Sequence, residues 1–95
     1  MTGNAGGALK PSFSRNARRQ LVRLARKNPE LLDRVIEVLT HVVHEPFRGL
    51  HKPEPLVGDL AGFWSVRLTH KDRLIYRVEG RRLLVASIEG HYANG

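Results

Sequence analysis

The chain has no cysteine among its 95 residues, one tryptophan, one methionine and few aromatic residues of any kind. Without cysteine there can be neither disulfides nor thiolate metal sites, a composition suited to a reducing compartment. No apolar run approaches the roughly 20 residues that span a bilayer, and the first ten residues lack the basic start and apolar stretch of a secretory signal. A cytoplasmic protein with no membrane association is therefore expected. Acidic residues are scarce too: nine Asp and Glu stand against sixteen Lys and Arg, a formal charge of +7. That excess favours a polyanionic partner, whether nucleic acid, an acidic protein or an anionic surface, and does not choose among them.

A chain of this length is expected to form one domain, burying roughly 60 to 65 per cent of its unfolded surface. Residues 1–8 are Gly-rich and aperiodic and read as a flexible tail, leaving 9–95 as the domain. Residues 9–13 suit a short strand, which Pro11 confines to an edge or a bulge. Ser14 can cap a helix in which Ala17, Leu21 and Leu24 recur at helical spacing and Arg15, Arg18, Arg19, Arg23 and Arg26 occupy the remainder. Asn28 can cap a second helix, with Pro29 in its first turn and an apolar stripe of Leu32, Val35, Ile36, Leu39, Val42 and Val43 that ends before Pro46. Two helices joined by so short a turn should pack antiparallel on a common surface.

Beyond residue 62 the period becomes two. Trp64, Val66 and Leu68 alternate with Phe63, Ser65 and Arg67, and Leu74, Tyr76 and Val78 with Arg73, Ile75 and Arg77. Turns at 69–72 and around Gly80 make this an antiparallel meander that continues over 83–88. With Trp64, Val66, Leu68, Leu74, Tyr76 and Val78 facing the helices, Arg67 and Arg73 emerge together on the other face. Trp64 then reads as core, Tyr76 as core with its hydroxyl satisfied, Phe63 as the more exposed aromatic and His70 as part of a turn.

The same stretch carries the candidates for chemistry. Glu54 lies between two prolines in Lys52-Pro53-Glu54-Pro55-Leu56, Arg67 and Arg73 flank the first hairpin, and His91-Tyr92 follow the last strand. Cleaving RNA by transesterification needs a base for the 2'-hydroxyl, a cation over the phosphate as charge develops, and an acid for the departing 5'-oxygen. A carboxylate, arginines and a histidine are the side chains for those three tasks. Each also has a plainer reading: a solvated loop carboxylate, exposed strand arginines, a terminus packed on the sheet. His41 and His44, three apart on the second helix, have no carboxylate or thiol to complete a metal set and read as surface residues.

Taken in order, Pro46-Phe47-x-Gly49, Lys-Pro-Glu-Pro-Leu, Gly62-Phe-Trp-Ser-x-Arg67, His70-x-x-Arg73-Leu-x-Tyr76 and His91-Tyr92 resemble the YoeB/Txe toxins of bacterial toxin-antitoxin modules, within the RelE superfamily. The resemblance runs from about Phe13 to Tyr92. It implies an α+β fold of the microbial-ribonuclease type, two N-terminal helices packed on a twisted antiparallel sheet. It also implies an endoribonuclease that cuts mRNA in the A site of the 70S ribosome without metal or other cofactor, neutralised by a cognate acidic antitoxin of the YefM/Axe kind. On that resemblance Glu54 is the general base, His91 the general acid, Arg67 and Arg73 the phosphate-stabilising pair, and Tyr92 orients substrate. Lys52 joins them as a phosphate contact, with His51 and Arg48 as further RNA contacts.

Several positions depart from the family pattern. Leu50-His51 replaces a common Lys-Gly, Val57-Gly58 replaces a more basic pair, and Ala93-Asn94-Gly95 extend past the usual His-Tyr end. The first helix is unusually basic, which suits ribosomal RNA and a solvated exterior equally. Two other functions remain open: a ParE-like toxin that binds DNA gyrase without cutting RNA, and a binding module that holds RNA without turnover. A homodimer is left open as well.

Overall fold

The computed structural model describes residues 7–88. Strand β1 (Lys10–Phe13) leads into helices α1 (Arg15–Lys27) and α2 (Pro29–Val42), followed by β2 (Glu54–Pro55), a 3-10 turn at Gly58–Leu60, β3 (Trp64–Arg67), β4 (Arg73–Glu79) and β5 (Arg82–Ser87). The five strands form one sheet in the order β1-β5-β4-β3-β2. The α+β architecture, two helices packed against a sheet, is the one expected. The sheet is mixed, because β1 pairs parallel with β5 while all other pairs are antiparallel. β1 is an edge strand, which is where Pro11 can sit without removing a ladder donor from the sheet interior. Among the described residues no helix is long and apolar enough to cross a membrane.

The helix boundaries follow from capping. Ser14 Oγ accepts from Ala17 N at 3.0 Å and donates to Ala86 O at 2.9 Å, so one hydroxyl starts α1 and ties that start to β5. Asn28 ends α1, its N–H donating to Leu24 O, and begins α2, its Oδ1 accepting from Leu31 N at 3.2 Å. Pro29 at the first turn needs no donor there.

On α2 the buried line is Leu31, Val35, Val38 and Val42, whereas Ile36, expected in the stripe, is 52% exposed. Leu32, Leu39 and Val43 are only partly buried beside the core. Eight of the fourteen-residue helix and its cap are apolar in a band so broad that periodicity cannot say which line faces inward. That choice is made by the facing surface, where α1 contributes Ala17 and Leu24 and the sheet contributes Val66, Leu68, Leu74, Tyr76, Leu83 and Val85. Val78 shares a face with its register partner Leu83 but is only partly buried.

The opposite sheet face is not an open platform. Ser65, Ile75 and Ser87 are register partners across β3, β4 and β5, and all three are buried. Trp64 packs on the core, with the exposed Phe47 ring 4.8 Å away, while the partly buried Phe63 lies under the Arg77 guanidinium at 5.2 Å.

Tyr76 is fully buried and its hydroxyl donates to Pro46 O at 2.6 Å, pinning the start of the long loop between α2 and β2. Burial pushes its phenol well above the usual tyrosine range. The fold disfavours the phenolate, so this contribution is complete below pH ~10 and declines above it as the unfolded chain ionises. Tyr76→Phe should cost about 1 kcal/mol at pH 7. The gap between variant and wild type should narrow above pH 10; urea melts at both pH values measure it.

Candidate functional site

The loop between α2 and β2 is shaped by backbone turns. Gly49 adopts φ 115°, a left-handed value suited to glycine, and Lys52 adopts φ 55°, the only positive value at a non-glycine position among the described residues. A lysine in this region is sparsely populated and is held there by its N–H donating to Gly49 O at 3.0 Å. The chain then enters β2, so Glu54 is a strand residue and not the loop carboxylate its flanking prolines suggest. β2 is an edge strand of two residues, with Glu54 paired to Ser65 and Pro55 to Trp64. Such a short edge tolerates Pro55.

This pairing brings Glu54 beside the arginines. Arg73 Nη1 donates to Ser65 Oγ at 2.7 Å and stands 3.8 Å from Glu54 Oε1. Arg67 and Arg73 are direct register partners on β3 and β4. Opposed residues of an antiparallel pair lie about 4.5–5.5 Å apart at Cα, and like charges so placed destabilise the sheet. Arg67 is exposed and has no hydrogen-bond or ion-pair partner among the described residues. Two neighbouring guanidiniums, one uncompensated, make a site that an anion would stabilise.

Around them lies an open cleft of about 460 Å³, bounded by Leu50, His51, Lys52 and Glu54 on one side and by Ser65, Arg67 and Arg73 on the other. Thr69 and His70 of the β3-β4 turn close one end. That turn is organised by Thr69 Oγ1, which donates to Asp72 Oδ2 at 2.9 Å and accepts from Asp72 N at 3.1 Å. Arg34 of α2 forms another wall. The His51 ring meets His41 edge-on at 4.9 Å, and its buried Nε2 has no hydrogen-bond partner among the described residues. Burial, then the charges of Arg34 and His41, hold its pKa below the ordinary histidine value, with Glu37 opposing. At neutral pH His51 therefore presents an uncharged imidazole.

The structure thus brings together Glu54, Arg67, Arg73, Lys52 and His51 of the expected set. Arg48 lies apart from this cleft, exposed and paired with Glu45 at 3.1 Å. His91 and Tyr92 fall outside the described residues. Sequence reasoning missed Ser65, Arg34 and the position of His70 at the cleft. Ser65 had a usable signal, since alternation placed it on the same face as Arg67; Arg34, one polar helix residue among several, had none. Among the described residues no cluster of three or more His, Asp or Glu is placed to hold a metal ion.

The sequence matches the profile of the YoeB-like toxin of bacterial type II toxin-antitoxin system over residues 13–92. The chain belongs to the YoeB family. It is 30% identical over 84 residues to Toxin YoeB of Streptomyces coelicolor, covering 88% of this chain and 100% of that protein. Among solved structures it resembles a YoeB/ParE toxin from Agrobacterium tumefaciens, with a TM-score of 0.82 and 32% identity over 88% of this chain and 100% of the other. It also resembles the YoeB-YefM complex from Staphylococcus aureus, with a TM-score of 0.80 and 29% identity over 88% and 98% of the two chains. In this YoeB-family chain the cleft is assembled by the β2-β3-β4 edge, and the matched span also includes His91 and Tyr92.

Proposed function

We propose that this toxin is a ribosome-dependent endoribonuclease that cuts mRNA in the A site by general acid-base transesterification. The observation that carries the reading is the Arg67/Arg73 pair opposed across two strands with the Glu54 carboxylate beside it. Glu54 takes the proton of the 2'-hydroxyl, and the resulting alkoxide attacks the adjacent phosphorus. Arg67 and Arg73 stabilise the charge that builds on the non-bridging oxygens. Ser65 acts as a positioning residue, fixing the Arg73 guanidinium by the bond at 2.7 Å. His91 protonates the departing 5'-oxygen and Tyr92 orients the substrate. The products are a 2',3'-cyclic phosphate and a 5'-hydroxyl, so a strand lacking the 2'-hydroxyl is inert.

The cytoplasmic ribosome supplies the remaining affinity. α1 contains no acidic residue, and its arginines are exposed, a basic face suited to ribosomal RNA phosphates. The S. aureus relative is seen with YefM; by analogy an acidic antitoxin of that kind covers the cationic cleft of this chain. A gyrase-binding role has less support, because it gives Glu54 and the paired arginines no task.

Primer extension on translating ribosomes tests the reading. A-site cuts should fall by about 10²–10⁴-fold in Glu54→Gln and in His91→Gln. Cutting that persists undiminished in both variants would overturn it.

A further inference from the structure

We propose that Arg34 forms a second phosphate subsite of the cleft, holding the backbone phosphate next to the scissile one. The inference rests on the RNA-cleaving reading above and extends it from one phosphate to two.

Arg34 comes from α2, outside every motif that marks the catalytic group, yet its side chain lines the same cleft as Glu54, Arg67 and Arg73. Its Nε donates to Leu68 O at 3.2 Å, which fixes the guanidinium against the end of β3. Nη1 reaches Glu37 Oε1 at 3.4 Å, a long contact to a carboxylate that is more than half exposed. A guanidinium has five N–H donors, so three remain without a partner among the described residues. Held at Nε with its outer edge open, it suits two-pronged recognition of a phosphate.

Placement separates this subsite from the scissile one. Ser65, which anchors Arg73, and Leu68, which anchors Arg34, are three positions apart, roughly 10 Å along an extended strand. The two guanidiniums are therefore held at different points of one sheet edge, an arrangement that suits neighbouring phosphates of one strand. Among the described residues lining the cleft the one carboxylate is Glu54, which stands beside Arg73. Glu37 is the acidic group that faces Arg34, and its exposure lets water screen it.

The test compares non-cleavable ligands carrying 2'-deoxyribose at the scissile position: a dinucleoside monophosphate, and trinucleoside diphosphates extended on its 5' or 3' side. Binding to the full chain is followed by NMR titration over a range of salt. Wild type should bind one of the trinucleotides more tightly than the dinucleotide. Arg34→Gln should lose about tenfold in affinity for that trinucleotide, with its salt slope reduced by about 0.7, while dinucleotide affinity is unchanged. Arg34→Lys, which keeps the charge, should restore most of the salt slope.

Equal weakening of both ligands by Arg34→Gln would show a structural role and overturn the subsite. So would a trinucleotide advantage that survives the substitution, and neither result touches the nuclease reading. Wild type that shows no preference for either trinucleotide would also overturn the subsite, while the nuclease reading stands or falls on the ribosomal cleavage assay.

Discussion

Arg73→Ala should lower the rate of A-site cleavage by about 10²–10³-fold, the usual consequence of removing a preorganised donor from a developing oxyanion. The expectation comes from how firmly this guanidinium is placed. It is about two-thirds buried, donates to Ser65 Oγ at 2.7 Å and lies within 3.8 Å of the Glu54 carboxylate. Arg67, its strand partner, is exposed and less constrained, so its loss should be the smaller. Arg73→Lys keeps a charge but cannot span Ser65 and the phosphate together, and should recover less than about tenfold.

Ser65→Ala separates positioning from chemistry. Its hydroxyl is buried and directs Arg73, so its removal should slow cleavage by about tenfold, as a misplaced catalytic group would. In the double variant Ser65→Ala/Arg73→Ala the rate should match that of Arg73→Ala alone, because the serine acts through the arginine. Strict additivity of the two losses, measured in single-turnover cleavage, would contradict the role assigned to Ser65.

The second large effect concerns stability. Leu24→Ala should cost 2–5 kcal/mol by the usual range of about that size for buried leucines, since Leu24 is 2% exposed and packs in the core between the helices and the sheet. For a chain this small a loss of about 1 kcal/mol lowers Tm by roughly 4–8 °C, so the substitution should lower Tm by roughly 8 °C or more. Val22→Ala, two residues earlier on the same helix but 61% exposed, should change stability by less than about 0.5 kcal/mol. Thermal and urea melts of the two variants distinguish the buried face of α1 from its basic exterior.

The pairing of Glu54 was not legible from its flanking residues. Two prolines around a carboxylate suggest a loop, and only the β3 edge, available once the sheet has formed, turns Glu54-Pro55 into a strand. In the same way, α2 offers an apolar band wide enough to permit several buried lines. The surface of β3, β4 and β5 selects Leu31, Val35, Val38 and Val42 and leaves Ile36 outside. The parallel pairing of β1 with β5 is equally non-local, joining Lys10 to Arg82 across most of the chain.

What the sequence by itself determined was local or periodic. Ser14 and Asn28 set the helix starts because a side-chain oxygen needs only its own next turn to cap. Alternation on β3 and β4 put Arg67 and Arg73 on one face because a strand turns its side chains every second residue. The ordered motifs from Pro46 to Tyr92 identified the family. What only the tertiary structure decided was which distant groups meet: Glu54 with Ser65 and Arg73, Arg34 with the end of β3, and His51 with His41. Those contacts join segments far apart in the chain, and their partners are chosen by sheet register and helix packing, which no local pattern encodes.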